Sequence, residues 1–71
     1  MDSSDHKAKM VEKYGLSTYD MEKVDRAYEI ALDRAVEIAG ERCYEAARKR
    51  GQVINFAKVE MYFEELLALI Q

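Results

Sequence analysis

The segment from Asp20 to Arg50 constrains the fold most, because it contains no proline and one glycine, Gly40. Three imperfect eight-residue repeats run through it, starting at Asp25, Asp33 and Glu41. Each has arginine second, glutamate fifth and alanine seventh. The segment predicts a single helix of roughly 46 Å, at 1.5 Å per residue. A 71-residue globule is narrower than that. We therefore expect the helix to need a partner that covers its apolar side.

Start and stop signals precede the long helix. Residues 1–5 are polar, and we expect them to be disordered. A short helix is predicted from about Asp5 to Tyr14, with Gly15 just past its end. Asp20 is the preferred N-cap of the long helix, and a capping box formed by Ser17 and Asp20 is the alternative.

The second half of the chain has equally clear signals. Gly51 follows a basic last turn and is typical of a glycine that ends a helix. The β-branched pair within Gln52–Asn55 predicts a brief extended segment. Apolar residues at helical spacing then predict an amphipathic helix over Phe56–Gln71. The sequence therefore predicts one all-α domain over residues 1–71.

Composition excludes several classes of protein. Cys43 and His6 cannot supply the several ligands of a structural zinc site, so we expect neither a metal nor another cofactor. A single cysteine suits a reducing, intracellular setting. No apolar run approaches the length of a membrane span, and no membrane association is expected. The net charge of −3 argues mildly against a general nucleic-acid coat.

Three local patterns have an ordinary structural explanation. Carboxylates recur every four residues from Asp25 to Glu45, but this spacing drifts around a helix, so we interpret them as a solvated face. Cys43 falls on the apolar stripe and is expected to be a small core residue. His6 is expected in a mobile terminus, with no recognisable catalytic arrangement around it. We therefore predict no enzyme activity.

The order short helix, long alanine-rich helix, brief strand and final helix resembles the histone fold, in its archaeal form. The resemblance covers about residues 9 to 62. It includes Gly15 after the first helix, the Asp20 cap, Gly51 in the second loop and Val53-Ile54 in the strand. It implies a dimer in which two long helices cross, either a homodimer or a histone-fold heterodimer. The candidate interface residues are Tyr28, Leu32, Ala35, Ala39, Cys43, Phe63, Leu66 and Leu67.

The sequence departs from that family at its DNA-contacting positions. Thr18 stands where the family has an arginine in the first loop, and Gln52 and Val53 replace a basic pair. Lys58 replaces an aspartate near the last helix. Because phosphate contacts dominate nonspecific DNA affinity, these changes should weaken DNA binding. The cations that could substitute for the missing contacts are Lys9, Lys13, Arg48, Lys49 and Arg50.

These observations favour a histone-fold dimerisation protein. It would associate with double-stranded DNA through the basic residues near its loops, or act as a subunit of a DNA-associated complex. It would then be chromosome-associated. The alternative is a small helical interaction or regulatory adaptor that binds no DNA. No small-molecule substrate is evident.

Overall fold

A computed structural model of the protein describes residues 3–37 and 40–70. In chain order these residues form helix α1 (Ser3–Tyr14), a 3₁₀ turn (Leu16–Thr18), helix α2 (Met21–Arg34), helix α3 (Tyr44–Lys49) and helix α4 (Phe56–Ile70). The described residues contain no β-strand. The predicted all-α class is therefore confirmed.

Helix α1 begins earlier than the sequence indicated. Ser3, Ser4 and Asp5 form its first turn, contrary to the disorder expected there. Met1 and Asp2 lie outside the described residues. The predicted end of the helix is confirmed, because Gly15 follows Tyr14 with a φ of 63°, in the left-handed region that glycine adopts easily.

The predicted N-cap of α2 is also confirmed. Asp20 has extended backbone angles, and its carboxylate accepts a hydrogen bond from the backbone N–H of Glu22 at 3.0 Å. This contact satisfies one of the amide groups that have no partner at a helix start.

The prediction of a single helix from Asp20 to Arg50 is wrong. Helix α2 ends at Arg34, and a second helix, α3, begins at Tyr44. Between them Gly40 has a φ of 83°, which a right-handed helix does not contain. The Asp33 carboxylate accepts a hydrogen bond from the Tyr44 N–H at 2.9 Å, so the end of α2 caps the start of α3. The longest dimension of the molecule is 36 Å, less than the uninterrupted helix would need.

Burial explains why the chain turns back after Arg34. Val36 and Ala47 pack against each other with Tyr44, Ala46 and Ile54 around them. A straight helix in one chain would leave these apolar side chains in water, at a cost of about 25 cal/mol per Å². Turning back lets a single chain cover them.

Helices α2 and α4 form the centre of the molecule. The ring of Tyr28 meets that of Phe63 edge-on, with their centroids 5.5 Å apart. Met10 of α1 and Leu16 of the 3₁₀ turn complete the same cluster. The buried residues of this core are Met10, Leu16, Val24, Ala27, Tyr28, Ala31, Leu32, Val59, Phe63 and Leu67.

The loop before α4, where a brief extended segment was predicted over Gln52–Asn55, forms no strand within the described chain. The Asn55 side chain caps α4 by accepting a hydrogen bond from the Ala57 N–H at 3.0 Å. The final amphipathic helix is confirmed over Phe56–Ile70, and Gln71 lies outside the described residues.

Candidate interaction surface

One face of α4 carries large apolar side chains that the rest of the described chain leaves in water. Met61 is 48% exposed and Leu69 is 79% exposed. Lys58, Glu65 and Ala68 are exposed on the same side of the helix. Steps of three and four residues join these positions, which places them on one stripe. We call Lys58, Met61, Glu65, Ala68 and Leu69 the outer face of α4.

The opposite face of α4 belongs to the core. Val59, Phe63 and Leu67 are buried there, four residues apart in turn. Tyr62, Leu66 and Ile70 are half-buried and pack against the edge of the core. Helix α4 is therefore apolar on more of its circumference than one chain covers. A wide apolar circumference is typical of a helix that has a second neighbour.

The residues proposed for a dimer interface occupy three kinds of position. Four of them are already buried in the single chain and need no second chain to be removed from water: Tyr28, Leu32, Phe63 and Leu67. Ala35, Cys43 and Leu66 are half-buried, and Ala39 lies outside the described residues. The assignment of these residues to an interface stays a prediction.

The candidate DNA-contacting residues are all exposed. Lys9 and Lys13 lie on α1, Arg48 and Lys49 lie in the last turn of α3, and Arg50 follows them. The Lys13 ammonium lies 5.3 Å from the ring centroid of Tyr14. Among the described residues, none of the five forms an ion pair.

A cavity of about 590 Å³ opens between α1, α2 and α3. Asp25, Glu29, Asp33 and Glu45 line it, together with two cations, Lys7 and Arg48. Lys7 pairs with Asp25 at 3.2 Å, and Asp33 caps α3 as described above. Two carboxylates of the repeat therefore make specific contacts. No group of three metal-binding side chains occurs among the residues that the structure describes.

His6 is a buried residue that joins three helices, and its predicted place in a mobile terminus is wrong. The residue is 3% exposed and lies on α1. Because a carboxylate only accepts hydrogen bonds, the imidazole Nε2–H donates to Glu60 Oε1, at 3.0 Å. In the neutral ring Nδ1 then accepts the hydroxyl proton of Tyr28, at 2.5 Å. The Phe56 ring centroid lies 4.6 Å from that of the imidazole.

Spacing could have identified His6 as a core residue. His6, Met10 and Tyr14 follow each other at four-residue steps, and all three lie on the side of α1 that faces the core. This pattern extends the apolar stripe of α1 by one turn toward the N-terminus. The polar residues that surround His6 in the sequence favoured the interpretation of this segment as a mobile terminus.

A second polar contact joins α1 to α4. The Tyr14 hydroxyl donates a hydrogen bond to Glu64. Burial, this hydrogen bond and the negative charges of Glu64 and Glu60 raise the pKa of Tyr14 to about 12. Glu60 and Glu64 are one helical turn apart, so α1 attaches to one edge of α4 and leaves the outer face free.

A scan of the chain against protein-family models finds no match, and comparisons with curated proteins and with solved structures find none either. The histone resemblance therefore gains no support from relatives. Within the described part of the chain, no helix has the length and apolar character needed to cross a bilayer. The fold and its surfaces define a small all-helical domain.

Proposed function

We propose that this protein is a helical interaction module that acts by binding another protein through the outer face of α4. The observation that carries the proposal is the exposure of Met61 and Leu69 on one side of a helix whose opposite side packs into the core. Apolar side chains grouped on a surface gain free energy when a partner removes them from water.

The interior of the molecule supports a binding role over a catalytic one. Among the described residues, every buried side-chain nitrogen or oxygen has a hydrogen-bond partner. The buried imidazole of His6 is hydrogen-bonded to Tyr28 and Glu60. Both ring nitrogens are used in contacts between helices. We therefore look to the exposed surface for contacts with other molecules.

Site-specific photo-crosslinking tests this proposal. A photoreactive amino acid at Leu69 should give covalent adducts with a protein, either in the purified sample or in extracts of the source cells. The matched control places the same group at Ala8, which is exposed on α1. Adducts that depend on position 69 are expected. Equal yields from both positions, or none from position 69, would refute the role of α4.

A second candidate function is association with double-stranded DNA. Arg48, Lys49 and Arg50 are three consecutive exposed cations at the end of α3, and this observation favours phosphate contact. The net charge of −3 opposes it. Fluorescence anisotropy with labelled duplex at two salt concentrations distinguishes the two functions. Binding that weakens steeply with salt and is lost on reversing all three charges supports DNA association.

The histone-like dimer is a more demanding proposal. Its crossing of long helices requires α2 and α3 to join into one helix when two chains associate, with Gly40 leaving its left-handed conformation. Circular dichroism at increasing protein concentration should then show rising helix content. Constant helix content across a monomer–dimer transition would exclude this route. The free thiol of Cys43 suits the intracellular, reducing setting that we propose for either function.

A further inference from the structure

We infer that the partner on the outer face of α4 is a second copy of this chain, bound with the two α4 helices antiparallel. The inference rests on the proposed function and specifies its partner. It follows from the arrangement of charges and apolar side chains along α4.

The outer face of α4 has opposite charges on either side of its middle. Lys58 and Glu65 are seven residues apart, which is about two turns or roughly 10 Å along the helix. The point midway between them lies at Met61 and Tyr62. Neither side chain forms an ion pair with another described residue.

A two-fold axis at this midpoint makes the face complementary to itself. In an antiparallel pair, Lys58 of each chain lies opposite Glu65 of the other, so two ion pairs form by symmetry. A parallel pair would place Lys58 against Lys58 and Glu65 against Glu65. The charges therefore select the antiparallel orientation and a second copy as the partner.

The apolar side chains fit the same arrangement. Met61, which is 48% exposed, lies at the axis and meets its own counterpart. Leu69 lies near one end of α4, and the loop at the other end carries Val53, which is 92% exposed. Antiparallel pairing brings Leu69 of one chain toward the Val53 loop of the other. The most exposed large apolar residues of the described chain then leave water together.

Charge reversal and charge exchange test the arrangement on the full chain. Sedimentation or light scattering should give a dimer of twice 8.2 kDa at sufficient concentration. Lys58→Glu should raise the dimer dissociation constant about tenfold, because two ion pairs become two repulsions. Glu65→Lys should do the same, and the double variant K58E/E65K should restore wild-type dimerisation. Lys9→Glu, the matched control on α1, should have no effect.

A cysteine at the axis gives an independent readout. In a Cys43→Ser background, Met61→Cys should form a disulfide-linked dimer on mild oxidation, because the axis brings the two copies of this residue together. Ala8→Cys is the control and should stay monomeric under the same conditions.

Each outcome is informative. A dimer that responds neither to charge exchange nor to the cysteine at position 61 refutes this interface. A monomer whose Leu69 crosslinks to a different protein refutes self-association and leaves the proposed function standing. A monomer with no crosslink from Leu69 refutes both. Restoration by charge exchange together with crosslinking at position 61 supports the antiparallel dimer.

Discussion

Replacing Tyr28 with phenylalanine removes a single oxygen atom from the core and tests the polar contact that joins α1 to α2. The ring of Tyr28 is 2% exposed and packs edge-on against Phe63, so phenylalanine keeps this packing. The buried Nδ1 of His6 loses the hydroxyl that donates to it. Leaving a buried polar atom without its partner costs about 1–3 kcal/mol.

The expected loss can be measured by chemical and thermal unfolding. For a domain of this size, each kcal/mol shifts Tm by about 4–8 °C, so a loss near the middle of the range lowers Tm by roughly 8–16 °C. Tyr19→Phe is the matched control, because the Tyr19 hydroxyl forms no hydrogen bond with another described residue. It should change the free energy of unfolding by less than about 0.5 kcal/mol.

A double-mutant cycle isolates the contact itself. His6→Leu removes the other partner, and the combined variant Tyr28→Phe/His6→Leu leaves neither polar atom of this pair behind. The double variant should therefore be less destabilised than the sum of the single variants, by about 1–2 kcal/mol. A coupling free energy near zero, or a loss for Tyr28→Phe as small as that of Tyr19→Phe, would contradict the role assigned to His6.

Three further predictions follow from the helix ends and from α1. Gly40→Ala should destabilise the protein by about 1 kcal/mol, because Gly40 has a left-handed φ. In an uninterrupted helix the same substitution would stabilise the protein by about as much, so the sign of the change in unfolding free energy, measured in urea, distinguishes the two structures. Asp33→Ala should speed amide hydrogen exchange in α3 and leave exchange in α4 unchanged, because the hydrogen bond to the Tyr44 N–H is lost. Exchange in α3 at the same rate in the variant and the wild type would contradict this prediction. The raised pKa of Tyr14 means that its contribution to stability is complete below pH 10 and is lost as the pH rises toward 12. Between pH 10 and pH 12 the free energy of unfolding should fall more steeply for the wild type than for Tyr14→Phe. The same pH dependence in both proteins would exclude the effect.

Local signals predicted two helix ends correctly. Asp20 caps α2 through a contact two residues along the chain, and Gly15 ends α1 through its own conformation. Such features depend on neighbouring residues, so they can be predicted from sequence. The range of α4 followed from its apolar periodicity for the same reason.

The break after Arg34 depends on contacts that local propensity does not contain. The residues around Gly40 are mostly good helix formers, and their pattern favours an uninterrupted helix. The fold instead gains the burial of Val36 against Ala47 and the hydrogen bond from Asp33 to Tyr44. Tertiary contacts of this kind override propensities worth a fraction of a kcal/mol per residue.

The role of His6 was hidden for a related reason. Its partners Tyr28 and Glu60 lie 22 and 54 residues away, so no motif joins them in the sequence. The outer face of α4 was only partly predictable. The pattern showed that this helix is amphipathic, but which apolar residues stay exposed depends on where α1 and α2 pack.

The two polar contacts between α1 and α4 also determine the order in which the chain completes its fold during synthesis. His6 and Tyr14 are made early, whereas their partners Glu60 and Glu64 are 54 and 50 residues later. Until α4 has left the ribosome, His6 and Tyr14 lack their carboxylate partners. The nascent chain can therefore place α1 against α2 first, and it completes the attachment of α1 in a late step, when α4 arrives.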